Sequence, residues 1–134
     1  MTVYFTTLAG SSSAVTSAGT VWLYHGTTEE SAVSIVTGGV SCIIANQISG
    51  FEDFWATIDP QNAAFYAGIA TPTSKKRAVV KFGLPVVKLD GFLTASPATA
   101  AWYPMDQAVQ FTKHCHTELN ASMTNVEIVR ELNL

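Results

Sequence analysis

The residues Thr20-Val21-Trp22-Leu23-Tyr24-His25 constrain the fold more than any other stretch of this chain. They are largely β-branched or aromatic, which favours a strand. Along a strand, Val21 and Leu23 point to one face and Trp22 and Tyr24 to the other. Both faces are apolar, so such a strand needs cover on each side. A helix start follows at once. Thr27 offers a capping hydroxyl, and Glu30 stands three residues later, the spacing of a capping box. Ala32, Val33, Ile35 and Val36 supply an apolar side, and Gly38-Gly39 supply a stop.

Similar reasoning predicts strands over 3–8, 40–45, 54–58, 78–82, 86–89 and 126–132, with Gly83 and Pro85 separating two of them. Asp59 and Pro60 mark a second helix, as cap and first residue, with Gly68 at its end. Residues 10–19 and 46–53 read as loops, 95–101 as a small-residue connector and 106–119 as a third helix. The helices are too few and too irregularly placed for a doubly wound sheet. The fold class is therefore α+β with mostly antiparallel strands, as one domain over 1–134 without repeats or a linker.

Composition narrows the partners. The chain has 134 residues, 48% apolar and 13% charged, which argues for a folded domain rather than a disordered one. Its net charge is -3 with seven Lys and Arg, and the cluster Lys75-Lys76-Arg77 reads as a solvated turn. Nucleic acid is therefore not an expected partner, because phosphate contacts need clustered cations. No apolar run reaches the roughly 18 residues of a membrane span. The start lacks a signal-peptide pattern, so a cytoplasmic location is the expectation. Cys42 and Cys115 are too few for a disulfide framework. Asn120-Ala121-Ser122 fits a glycosylation triplet, which matters only after secretion. In His114-Cys115-His116 the three side chains are too close in sequence to share one tetrahedral ion easily, so no metal is expected.

The chemistry-bearing candidate is the turn after the first strong strand. His25 ends that strand, Gly26 permits close backbone approach, and Thr27-Thr28 open a helix whose first N–H groups suit an anionic or carbonyl ligand. The stretch Trp22-Leu23-Tyr24-His25-Gly26-Thr27-Thr28, with Ile35 and Gly38-Gly39-Val40, resembles the first motif of the ADP-ribosyltransferase superfamily, in its poly(ADP-ribose)-polymerase-like branch. Phe54-Trp55-Ala56-Thr57, then Asp59 and Ala63-Ala64-Phe65-Tyr66-Ala67, resembles the second motif, and Ala78-Val79-Val80-Lys81-Phe82 the strand after it. The likeness covers roughly residues 20 to 90. RNA 2′-phosphotransferases share the His-Gly-Thr opening. Phe51-Glu52-Asp53 stand where the family has glycines.

The resemblance implies an ADP-ribosyltransferase-like fold: two small, mostly antiparallel sheets with flanking helices around a cleft. It implies NAD as substrate, bound by His25, Gly26, Thr27, Trp55 and Tyr66. His25 would donate to a ribose hydroxyl, Gly26 would clamp the nicotinamide amide, and Trp55 would stack on the ring. The family's third motif supplies a Glu on a late strand that supports the oxocarbenium-like charge. Glu127 is the first candidate and Glu131 the second. The implied reaction is ADP-ribosyl transfer or NAD hydrolysis, with the acceptor open. Two alternatives stand beside it. One is acid–base chemistry on a hydrophobic small molecule, using His25 with Asp53 or Glu52. The other is a non-catalytic module that binds ADP-ribose or a partner.

Overall fold

Six strands and four helices follow one another through the computed structural model, which describes residues 19–40, 54–71, 73–95, 100–103, 105–112 and 116–129. The elements are β1 (Thr20–Thr28), α1 (Glu29–Gly38), β2 (Phe54–Thr57), α2 (Pro60–Ala70), β3 (Arg77–Pro85), α3 (Val86–Thr94), β4 (Ala100–Tyr103), β5 (Ala108–Phe111), α4 (His116–Ser122) and β6 (Thr124–Val129). The expected strand over 3–8 lies outside the described residues, as does all but Val40 of the strand expected over 40–45. So do Cys42, Glu52, Asp53, His114, Cys115 and Glu131.

The described strands form one sheet rather than two, in the order β4-β5-β2-β1-β3-β6, with every neighbouring pair antiparallel. Two three-stranded halves are nevertheless recognisable. β1 pairs with β3 along its full length, from Thr20↔Pro85 to Thr28↔Arg77. β1 meets β2 in ladder pairing at Tyr24↔Thr57 alone. That single pair makes the two halves one sheet and leaves a thin seam between them.

Both faces of β1 are covered, as its sequence requires. On one face Val21 and Leu23 join Phe54, Val80, Phe82 and Phe111 from neighbouring strands. Ala32 and Ile35 of α1, Leu89 and Phe92 of α3, and Leu119 of α4 complete this core. Burying a side chain the size of Phe82 or Phe111 stabilises the fold by about 1.5–3 kcal/mol. On the other face α2 lies across β1 and β3, with Ala63, Ala67 and Val79 fully buried.

The first cap is displaced by one residue. Thr28, not Thr27, caps α1: its extended backbone lets Oγ1 accept from the Ser31 N–H at 3.1 Å. Pairing of β1 with β3 continues through Thr27↔Ala78, and this holds Thr27 in the strand. Glu29 and Glu30 then sit in the first turn, where the helix dipole favours acids. α2 begins as expected, with Asp59 accepting from Gln61 N–H at 2.9 Å and Pro60 leading. It runs through Gly68 to Ala70.

Four further expectations are overturned. β3 does not break at Gly83, which pairs with Trp22. A Cβ there would come within 3.0 Å of Thr124 Oγ1 and Thr20 Cγ2, so glycine serves close packing of three strands. Residues 86–89 open helix α3 instead of a strand. Val86, Leu89 and Phe92 bury one helical stripe, and Pro85, with φ of −58°, leads into it. Residues 106–119 are not one helix. Gln107 turns the chain at φ of 50°, β5 follows, and α4 starts only at His116. β5 is held by β2 on one side and β4 on the other, and the connector expected over 95–101 gives way to β4 at Ala100.

Asn120 ties α4 to the exit of α1. Its Oδ1 accepts from the Val40 N–H at 2.7 Å and its Nδ2 donates to the Val40 carbonyl at 2.8 Å. The amide that would carry a glycan is thus engaged in a structural clamp. Gly39 adopts φ of +85°, and a Cβ there would meet Asn120 Oδ1 at 2.8 Å. Asn120→Ala is expected to destabilise the protein by about 2 kcal/mol, the scale of two lost hydrogen bonds. The midpoint of urea unfolding checks this.

Candidate functional site

The β1–β2 seam is where the two sequence motifs meet. Beyond Tyr24↔Thr57 the β2 residues Phe54, Trp55 and Ala56 have no ladder partner on β1. A side chain spans the gap instead: His25 Nδ1–H donates to the Trp55 carbonyl at 2.5 Å. A carbonyl only accepts, so the proton must be on Nδ1. The ring also stacks on Phe54, with centroids 4.2 Å apart and planes 30° apart. Burial against these apolar neighbours lowers the His25 pKa to about 4, outweighing the opposite pull of the Trp55 bond. The imidazole is therefore neutral at pH 7, with Nε2 unprotonated. That nitrogen can only accept a hydrogen bond, not donate one to a ribose hydroxyl as the resemblance implies.

Gly26 has a structural neighbour in the place expected for a ligand. A Cβ on Gly26 would fall 1.9 Å from the Ala63 carbonyl oxygen and 2.6 Å from the Ala67 nitrogen. The missing side chain lets α2 lie directly on β1. Thr27 is buried and paired to Ala78, and its carbonyl accepts from Thr71 Oγ1 at 3.3 Å.

Strand alternation separates the rings of His25 and Trp55. His25 follows Val21 and Leu23 on the core face. Trp55 follows Phe54 by one residue and so takes the opposite face, 39% exposed. There it contacts Tyr103, with ring centroids 5.0 Å apart, and faces Gln110 across the ladder. Tyr103 O–H donates to Gln110 Oε1 at 2.9 Å. These three residues form an aromatic platform with an amide beside it, able to take a flat ring by stacking. Tyr66 lies on α2 and bonds the Asp106 carboxylate. Burial, then that bond and the negative charge, raises the Tyr66 pKa. Asn62 Nδ2 donates to the Asp106 carbonyl at 3.1 Å.

Tyr103, Gln110 and Asp106 were not candidates from sequence. The alternation Ala108-Val109-Gln110-Phe111 was the available signal, and a helical reading of 106–119 hides it.

Glu127 stands apart from His25. It is exposed on β6 and pairs in register with Lys81 of β3. The row Tyr24–Lys81–Glu127 crosses the sheet on the face opposite the His25 ring, and β3 lies between β1 and β6. Lys81 Nζ lies 4.7 Å over the Trp22 ring. Thus the structure joins His25 to the Trp55 backbone, groups Trp55 with Tyr103, and leaves Glu127 remote from both.

Among the described residues no group of three or more His, Cys, Asp or Glu is placed to hold a metal ion. Among them, too, no helix is long and apolar enough to cross a membrane. No family model matches the chain, and neither a curated protein nor a solved structure does so.

Proposed function

We propose that the protein binds NAD at the β1–β2 seam and cleaves the nicotinamide–ribose bond. The observation that carries this reading is the His25–Trp55 hydrogen bond, which links the two motifs of the resemblance across thirty residues of sequence. The nicotinamide ring would stack on the Trp55–Tyr103 platform, and His25, from the opposite face of the sheet, would hold that platform in place through the Trp55 carbonyl. In the reaction the bond from ribose C1′ to nicotinamide N1 breaks, and its electron pair leaves with nicotinamide. Positive charge spreads over the ribose, and an acceptor hydroxyl or water bonds to C1′ and loses its proton.

Calorimetric titration with NAD and a nicotinamide-release assay test the reading together. His25→Ala is expected to weaken NAD binding about tenfold, the scale of one hydrogen bond and its contacts, and to lower the melting temperature by several degrees, because the Trp55 carbonyl loses its donor and Phe54 its stacked ring. Trp55 fluorescence is expected to change on NAD addition. Trp55→Phe keeps part of the affinity and Trp55→Ala loses most of it. Absence of binding at millimolar NAD sinks the proposal.

A second reading has its own support. The exposed position of Glu127, across β3 from His25, favours a module that binds ADP-ribose without turnover. Under it, ADP-ribose binds, nicotinamide is not released, and Glu127→Gln is silent. If Glu127 is the catalytic carboxylate, Glu127→Gln cuts turnover about a hundredfold with affinity little changed. The acid–base alternative is weakened by the His25 pKa of about 4, which makes the ring a poor general base at neutral pH.

A further inference from the structure

We infer that the cavity between the end of α2 and the start of β3 is a binding site for a phosphate monoester. The cavity has a volume of about 530 Å³ and is lined by Lys75, Lys76 and Arg77 together with Glu29, Gly68 and two threonines. That volume lies in the range of small-ligand sites. The chain as a whole is acidic and has seven Lys and Arg, so three of them around one cavity is a marked concentration.

The cations differ in what occupies them. Lys75 Nζ pairs with Glu30 at 3.2 Å, both side chains being largely exposed. Among the described residues neither Lys76 nor Arg77 has an ion pair. Their positions are nonetheless set by the fold. The Lys76 carbonyl accepts from the Glu29 N–H at 3.0 Å, which fastens this turn to the start of α1. Arg77 is the first residue of β3, paired with Thr28. Its guanidinium lies over Gly68, where a Cβ would stand 3.1 Å from Nη1. The bare backbone of Gly68 thus makes room for the guanidinium on the cavity wall. A planar fork of N–H donors matches phosphate oxygens in pairs, and the Lys76 ammonium adds a second positive charge. Lys76 and Arg77 together suit a ligand carrying two negative charges, and the Glu29 carboxylate on the same lining works against that attraction. The site lies beyond Thr28, at the C-terminal end of β1, whereas the Tyr24↔Thr57 junction is at the middle of that strand, and it does not rest on NAD binding.

Calorimetry on the full chain at low ionic strength tests this, with inorganic phosphate, glycerol 3-phosphate and uncharged glycerol as probes. Phosphate and its ester are expected to bind, more weakly as salt rises, and glycerol is not. Phosphate alone binding as well as the ester identifies free phosphate as a sufficient ligand; tighter binding of the ester assigns the site to phosphorylated small molecules. Lys76→Gln and Arg77→Gln are each expected to weaken binding about tenfold or more, the scale of a charge-assisted hydrogen bond. His25→Ala is expected to leave it unchanged, which separates this site from the seam. Two results overturn the inference: no phosphate binding at millimolar concentration, or binding that both charge variants retain in full. A fall in melting temperature for Arg77→Gln, with no phosphate binding by the original chain, would assign the guanidinium to the end of α2 instead.

Discussion

Gly26→Ala is expected to lower the melting temperature by about 15 °C, from a stability loss of about 4 kcal/mol. The added carbon would sit 1.9 Å from the Ala63 oxygen and 2.6 Å from the Ala67 nitrogen. Both are backbone atoms of α2, so no rotamer change relieves the clash. The helix must lift away from β1, and Ala63, Ala67 and Val79 lose part of their burial. The strand conformation of Gly26 is otherwise open to alanine, and alanine limits the unfolded chain more than glycine does. The expected loss is therefore steric. Thermal unfolding followed by circular dichroism gives the answer. A variant that melts normally but no longer binds ligand would instead assign the open side of Gly26 to the ligand.

Lowering the pH from 7 to 4.5 is expected to remove up to about 2 kcal/mol of stability through His25 alone. The sign follows from the direction of its shift. The folded-state pKa is about 4 and the ordinary value is 6.5. Between those values the unfolded chain binds more protons, so folding loses ground as pH falls through that window. Above it the contribution is complete, and below about pH 4 the loss levels off near 3 kcal/mol. The ring is half-buried, so water reaching it makes these figures upper bounds. Comparing urea midpoints of the original chain and His25→Gln at both pH values isolates the effect from the carboxylates. The same neutrality predicts that NAD affinity stays flat from pH 5.5 to 8. A step in affinity near pH 6.5 would show a ring titrating as it does in water.

Local signals read well where they were strong and self-contained. Asp59-Pro60 identified a helix start because capping needs only neighbouring atoms. The two-sided apolar pattern of Val21 to Tyr24 identified a strand covered on both faces. Errors arose where the deciding atoms were distant in sequence. Gly83 and Pro85 look like breakers, yet β1 and β6 hold the backbone extended past Gly83. Residues 108–111 suit a helix nearly as well as a strand, and pairing with β2 and β4 settled the matter. Thr27 and Thr28 are equivalent as caps by chemistry, and the length of the β1–β3 ladder selected Thr28.

The candidate site divides in the same way. The sequence by itself determined that residues 20–25 form a strand, that Gly26 permits close backbone approach, and that an aromatic pair begins another strand at Phe54. These follow from side-chain chemistry and from periods of two and 3.6 residues, which are properties of the local chain. The end of the first strand at His25 was wrong, because pairing with β3 carries β1 on to Thr28. Only the tertiary structure decided what fills the open side of Gly26, which nitrogen of His25 carries its proton, and which face of the sheet holds each ring. A helix backbone, a carbonyl thirty residues away and the pairing register decide those three points. The physical reason is that each depends on contacts between segments far apart in sequence, and no local pattern encodes which distant atom will arrive.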